Sequence, residues 1–346
     1  MPRFKSILVA TDFPPDTDNA TRKAALLAEQ HAARLTMLHV VDPAGSQALR
    51  RRFSPTIDIE LKTMQTRATL RRFAKDIIGR HGVAAKFEVV TGVAFEEVHS
   101  RSERADLVVV GQRGSMVSLK DLVVGSTTER LLRLSRKPVL VVKRGMWLRI
   151  ARCLYRSTSR TNPRRHWRRL PVSRDAALHV FHAQDSRDEF EMQMADVPST
   201  AIREFREMRQ GESCVRIHEM IAKAGLNGRP VFESVAQGDA ARMTLEQEKL
   251  LCADLIVAGK YGRSAMADFL LGIVSRQVLV GSACDILIIP PIAVESHRTS
   301  AAVTHSRPAF QAAPVASSEL RSADATGPAS ARAHHRRDGA QRRFAW

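Results

Sequence analysis

Gly111, Gly114, Gly125 and Ser126 carry the strongest hint of chemistry in this chain, and the first of them ends the apolar run Leu107-Val-Val-Val110. A glycine turn between a parallel strand and a helix start leaves backbone N–H groups exposed. The helix dipole adds partial positive charge at the same place. The chemistry this suits is phosphate binding. Thr127 adds a second hydroxyl, and Arg113 flanks the glycines, where it can neutralise phosphate or face solvent. Asp12 closes another apolar run, Lys5-Ser-Ile-Leu-Val-Ala-Thr11, and either holds a ligand or opens the turn before Pro14-Pro15. The arrangement also repeats. Asp106-Leu-Val-Val-Val-Gly-Gln-Arg-Gly114 returns as Asp254-Leu-Ile-Val-Ala-Gly-Lys-Tyr-Gly262, Gly272 answers Gly125, and Ile286-Leu-Ile-Ile289 answers Val139-Leu-Val-Val142.

Catalytic patterns are missing from the sequence. There is no Gly-x-Ser-x-Gly elbow and no Gly-x4-Gly-Lys-(Ser/Thr) loop, and nothing identifies a base to activate water. The chain therefore reads as a binder rather than an enzyme, with no catalytic residue assigned. His39 and His182 end second strands in the two copies, but neither has a companion at ligand spacing, so no metal site is expected. Cys153, Cys214, Cys252 and Cys284 lack Cys-x-x-Cys spacing and read as buried small hydrophobes. Ser126-Thr-Thr-Glu129 fits a capping box, a role that needs no ligand. Ser115, Ser118 and Thr128 are further hydroxyls of the same loop, able to take phosphate or simply to line it.

The elements that must position these groups follow from periodicity. In the first copy, strands over 5–11, 35–41, 85–90, 107–110 and 139–142 alternate with helices over 20–34, 56–80, 94–104 and 126–136. Such alternation implies crossovers and a parallel sheet covered on both faces. The second copy gives strands over 177–183, 231–236 and 286–289 and helices over 195–223 and 240–252, but no recognisable first strand ending in an acid. The expected domains are residues 1–143, an Arg-rich join or degenerate start over 144–174, a second domain over 175–291, and a disordered tail over 292–346. The fold class is α/β: two tandem doubly wound domains, each an open five-stranded parallel sheet with helices on both faces, the second with an atypical first strand.

Of the net charge of +18, the segment 143–174 carries +11 and the tail from 297 carries +5, so the repeats are close to neutral. A basic groove on the folded part is not implied, and nucleic acid is not the expected partner. Trp147, Tyr155 and Trp167 lie among the arginines of the join, where they could stack on single strands or meet an acidic membrane; a poorly folded linker is the favoured reading. No apolar run is long enough for a membrane span, and the first residues lack an apolar leader, so a cytoplasmic location is expected.

These residues resemble the universal stress protein family in its tandem form, over most of 1–142 and 175–291. The family's nucleotide-binding fingerprint is Gly-x2-Gly-x9-Gly-(Ser/Thr), with an Asp ending the first strand. The resemblance implies binding of ATP or a related adenine nucleotide, with magnesium as an accompanying ion, and a role in stress regulation or survival. Asp12 and the backbone near Val40 and Val41 would then meet the adenosine end. Gly111 and Gly114 would admit the triphosphate, and Gly125, Ser126 and Thr127 would start the helix that receives it. The family usually forms dimers; here a homodimer or an intramolecular domain pair is expected. A nucleotide-free interaction scaffold and a slow ATP hydrolase are the alternatives.

Two departures from the fingerprint matter. Ten residues separate Gly114 from Gly125, one more than the pattern. The second copy keeps nine between Gly262 and Gly272, but Ile273 replaces the hydroxyl and the first-strand acid is missing. The second copy is therefore expected to be a structural partner rather than a nucleotide binder.

Overall fold

The computed structural model describes residues 4–12, 19–42, 59–112, 125–143, 150–157, 170–172, 175–225, 230–260 and 271–291. The first half alternates as the periodicity predicts: β1 (Ser6–Ala10), α1 (Asn19–His31), β2 (Arg34–Val41), α2 (Ile59–His81), β3 (Ala85–Thr91), α3 (Ala94–Ser102), β4 (Leu107–Gly111), α4 (Ser126–Leu134) and β5 (Val139–Val142). Helix α1 stops three residues before the predicted end, because Ala32 turns into the left-handed region at φ 49° and frees Arg34 to start β2. Gly82 ends α2 at φ 61°, a conformation that costs a side chain with a Cβ about 1 kcal/mol or more.

The second half corrects the sequence reading twice. Its first strand exists: β6 (Arg152–Arg156) pairs in parallel with β7 (Ala177–Gln184) and with β9 (Leu255–Gly259). Only Cys153, Leu154 and Tyr155 carry its apolar character, too short a run to stand out between arginines. Tyr155 is fully buried there, which removes it from any stacking surface. The long helix expected over 195–223 starts four residues later, as α6 (Ser199–Ala224), and a short helix the sequence reading did not give, α5 (Arg187–Met194), precedes it. Asp196 at φ 52° follows the end of α5, and Pro198 caps α6, where a missing N–H costs nothing. The remaining elements are β8 (Val231–Gln237), α7 (Ala240–Leu251), α8 (Ile273–Gly281) and β10 (Asp285–Ile289). Cysteine burial is also mixed: Cys153 and Cys284 are buried, but Cys252 is exposed at the end of α7.

All strands join one sheet in the order β3-β2-β1-β4-β5-β10-β9-β6-β7-β8. Read inward from each end, the two halves have the same order, so each is the expected doubly wound unit. Every pairing is parallel except the central one, where Val139, Leu140 and Val141 of β5 meet Ile288, Leu287 and Ile286 of β10 antiparallel. The two halves are thus paired within the chain. The aspartate that opens the repeated phrase has one job in both copies. Asp106 Oδ2 accepts the N–H groups of Lys5 and Ser6 at 2.7 and 3.0 Å, and Asp254 Oδ2 accepts those of Ala151 and Arg152 at 3.1 and 2.9 Å. Each carboxylate fastens the start of a first strand to the start of a fourth.

Side chains alternate across the sheet into two cores. Ile7, Val9, Met37 and Tyr155 pack under α1, α2 and α6, whereas Leu8, Leu38, Leu154 and Phe181 pack under α3, α4, α7 and α8. At the seam, Lys23 of α1 sits 3.2 Å from Asp285, whose other oxygen accepts the Lys143 N–H at 2.9 Å. Lys143 Nζ crosses the seam to the carbonyls of Leu279 and Ser282, capping the carboxyl end of α8. Lys260 Nζ reaches in the opposite direction, to the Ser135 carbonyl beyond α4.

Candidate functional site

In the first half the strand order reverses between β1 and β4, because β2 and β3 lie to one side of β1 and β4 and β5 to the other. A crevice opens outside the carboxyl ends of the strands at such a reversal, and open α/β sheets use it for ligands. Thr11 and Asp12 leave β1 at this edge, Val40 and Val41 end β2, Gly111 ends β4, and Gly125, Ser126 and Thr127 start α4. Seven of the nine residues singled out from sequence, Gly111 among them, thus share one edge or its bordering helix start; Arg113 and Gly114 lie outside the described residues, as do Ser115 and Ser118.

Hydrogen bonds fix the turn that carries Asp12. The Thr11 N–H donates to the Leu38 carbonyl at 3.0 Å, and the Thr11 carbonyl accepts from His39 Nδ1 at 2.8 Å. His39 is therefore bound to the proposed site through the residue next to Asp12. On β2, the Val41 carbonyl accepts the Gly92 N–H at 3.1 Å, which leaves it a second lone pair. Asp12 itself is exposed at the rim.

The base of the glycine loop is latched at one residue that sequence reasoning passed over. Gln112 donates its N–H to Val142 at 3.1 Å and accepts the Gly125 N–H at 2.9 Å, closing the chain between the two glycines. Gly125, not Ser126, is the residue that caps α4: its backbone is extended at φ −56°, ψ 144°, and it makes no side-chain cap bond. The capping-box reading is overturned, because Ser126 already lies inside the helix and its hydroxyl is exposed. The Glu129 N–H makes the first helical bond, to Gly125 at 2.9 Å. The N–H groups of Ser126, Thr127 and Thr128 consequently have no acceptor within the helix, and they face outward with its positive dipole end. Thr128 is buried, and its hydroxyl donates to the Gly111 carbonyl at 3.1 Å, so it braces the loop rather than lining it.

The second half keeps this frame and changes its lining. Lys260 replaces Gln112 as the latch, with its N–H on Ile289 and its carbonyl accepting from Gly272, both at 2.9 Å. Gly272 caps α8 with nearly the backbone angles of Gly125, and Ser275 Oγ donates to Gly259 at 2.8 Å, as Thr128 does to Gly111. Ser157 answers Thr11: its N–H donates to Phe181 at 2.8 Å, and its hydroxyl meets His182 Nδ1 at 3.1 Å. The residue after it in sequence is Thr158, not an acid, and Ile273 stands exposed where the first half has Ser126. A matching position to Ala10 holds Arg156, and burial pushes that guanidinium below its ordinary pKa.

Comparison with known proteins matches this repeated frame to the universal stress protein family, whose family model covers residues 3–143 and again 163–290. A universal stress protein of Mycolicibacterium smegmatis is 25% identical over 304 residues, 82% of this chain and 97% of that protein. A shorter universal stress protein of Methanocaldococcus jannaschii is 28% identical over 159 residues, 41% of this chain and 96% of its own length. Among solved structures, a universal stress protein from Archaeoglobus fulgidus aligns with TM-score 0.57 at 18% identity, covering 82% of this chain and 98% of that one. A functionally unknown protein from Pseudomonas aeruginosa aligns equally well, at TM-score 0.57 over 83% of this chain and 93% of its own. At that identity the structural likeness speaks to the fold.

Proposed function

Because the chain belongs to the universal stress protein family, we propose that its first half binds ATP or a related adenine nucleotide and that the protein serves as a stress-response regulator or survival factor. The observation that carries this reading is the convergence of Asp12, Gly111 and the open first turn of α4 on one switch-point edge. Asp12 and the Val40–Val41 backbone would receive the adenosine end. The N–H groups of Ser126 and Thr127, with Gly114 and Arg113 in the loop, would receive the phosphates and any magnesium they carry. Occupancy would fix the loop latched by Gln112 and the start of α4 in one arrangement. A partner protein can read that surface.

The reading is of holding a nucleotide, not of turning it over. Calorimetric titration of ATP into the wild type, Asp12→Ala and Gly114→Val tests it: saturable binding at one site per chain, lost in Gly114→Val, is expected. No binding to the wild type would overturn it and favour the nucleotide-free scaffold, which the extra loop residue before Gly125 supports. Hydrolysis that disappears in both variants would favour the slow ATPase.

A further inference from the structure

Helix α6 is 26 residues long, yet only Ile202, Ser213 and Ile217 are buried along it. Those three mark the side that packs on the sheet. Roughly 180° round the helix, at about 3.6 residues per turn, runs a second apolar line made of Met208, Gly211, Val215 and Ala222. All four are exposed, Met208 by 54% and Val215 by 58%. A helix that covers one face of a sheet needs one apolar stripe, and charged residues normally take the opposite side. Gly211 adds to the anomaly. A Cβ at that position would meet nothing within 4 Å, so no contact among the described residues calls for a glycine. Glycine is the poorest helix former after proline, and its use is to let another backbone come close.

The charges beside this line identify the surface that fits it. Glu212, Arg216, Glu219 and Lys223 form an exposed row along one flank, in the order acid, base, acid, base. Within the helix they pair as Arg216 with Glu212 at 3.2 Å and Lys223 with Glu219 at 2.7 Å. Their spacing is symmetrical about the midpoint between Ile217 and His218, with Arg216 and Glu219 inside and Glu212 and Lys223 outside. A second α6 laid antiparallel about that midpoint therefore sets Glu212 against Lys223 and Arg216 against Glu219, twice over. In that register Val215 of one copy meets Ala222 of the other, and Gly211 lies beside Ala224. Glu204 falls past the helix end, which Gly225 caps at φ 67°. Helix α2, the counterpart in the first half, has no such symmetry: Arg67, Arg71, Arg72 and Lys75 on its exposed side are all basic.

We propose that two copies of the chain associate through antiparallel α6 helices, with Val215 and Ala222 as the apolar contact and the four-charge row fixing direction and register. Strands β5 and β10 already cover each other within the chain, so this contact is a separate one. A single helix face lies at the small end of protein interfaces, so the association is weak and reversible. It does not depend on whether the first half takes a nucleotide.

Sedimentation equilibrium of the full chain, loaded from about 5 to about 500 µM, tests this. Three proteins are compared: the wild type, a variant with Arg216→Glu and Lys223→Glu, and a variant with Glu212→Lys and Glu219→Lys. Each variant gives the row a single sign, and all four positions are exposed, so the fold is expected to survive. The wild type should pass from one-chain to two-chain mass as concentration rises, and about 1 M salt should weaken that association severalfold. Each variant alone should associate at least about tenfold more weakly, because like charges now face each other. An equimolar mixture of the two should recover the two-chain mass, which a misfolded variant could not do. A wild type that keeps one-chain mass throughout, a two-chain species that persists in both variants alone, or a mixture that does not associate would each overturn the proposal.

Discussion

Changing Asp285 to Asn should weaken the seam between the halves more than any other single polar substitution there. Asp285 is 1% exposed at the start of β10; one oxygen lies 3.2 Å from Lys23 Nζ and the other accepts the Lys143 N–H at 2.9 Å. The substitution keeps the volume and removes the charge, which leaves the Lys23 ammonium, 7% exposed, facing a neutral amide. Breaking one side of a buried ion pair costs about 3–5 kcal/mol, because the surviving charge stays desolvated. For a folded part of this size that is a fall in Tm of about 6–20 °C. Urea unfolding followed by both circular dichroism and Tyr/Trp fluorescence gives the free energy. The partner change Lys23→Met, alone and with Asp285→Asn, completes a double-mutant cycle. Removing both groups should cost well under the sum of the separate changes, a coupling of about 1–3 kcal/mol. Additive behaviour, or a loss under about 1 kcal/mol for Asp285→Asn, would show that Lys23 and Asp285 are not a coupled buried pair.

Two further outcomes follow from the same contacts. Burial lowers the Lys143 pKa to about 8 from its ordinary 10.5, so between these values the unfolded chain holds a proton that the folded chain has released. The stability of the wild type relative to Lys143→Met should be flat below pH 8 and rise from pH 8 toward 10.5; a difference that stays flat or falls would contradict this assignment. Thr128→Val removes the hydroxyl that holds the Gly111 carbonyl, and should cost about 1 kcal/mol in unfolding together with a severalfold loss of ATP affinity. The matching Ser275→Ala should lower stability and leave ATP affinity unchanged, measured by the same calorimetry.

Strands buried on both faces announce themselves, and the repeated Leu107–Val110 and Leu255–Ala258 runs were readable for that reason. The glycines at 111, 125, 259 and 272 marked the strand-to-helix turns in both halves, because a residue without Cβ lets the chain turn tightly between a strand end and a helix start. Strand β6 was not readable, because three buried residues between arginines give no periodic signal; the register that β7 and β9 impose on it is a tertiary effect. The break before α6 did carry a signal, Pro198, which the helical spacing around it overrode. The cap of α4 was misplaced because Ser126 and Glu129 match a capping box, while the Gly125 to Gln112 bond that actually sets the helix start depends on how the loop folds back. The seam left a trace as well. Neither Val139–Val142 nor Ile286–Ile289 carries a charge, and an edge strand open to water normally does. That absence fits strands that end up covered, but sequence does not say by what.

On the proposed reading, the first half holds a nucleotide and the second half does not. Calorimetric titration of ATP at one salt concentration into the wild type, Gly114→Val and Gly262→Val tests it most directly. One saturable site that Gly114→Val removes and Gly262→Val leaves intact is the predicted result. Binding that survives Gly114→Val, or is lost with Gly262→Val, would put the site elsewhere and contradict the account.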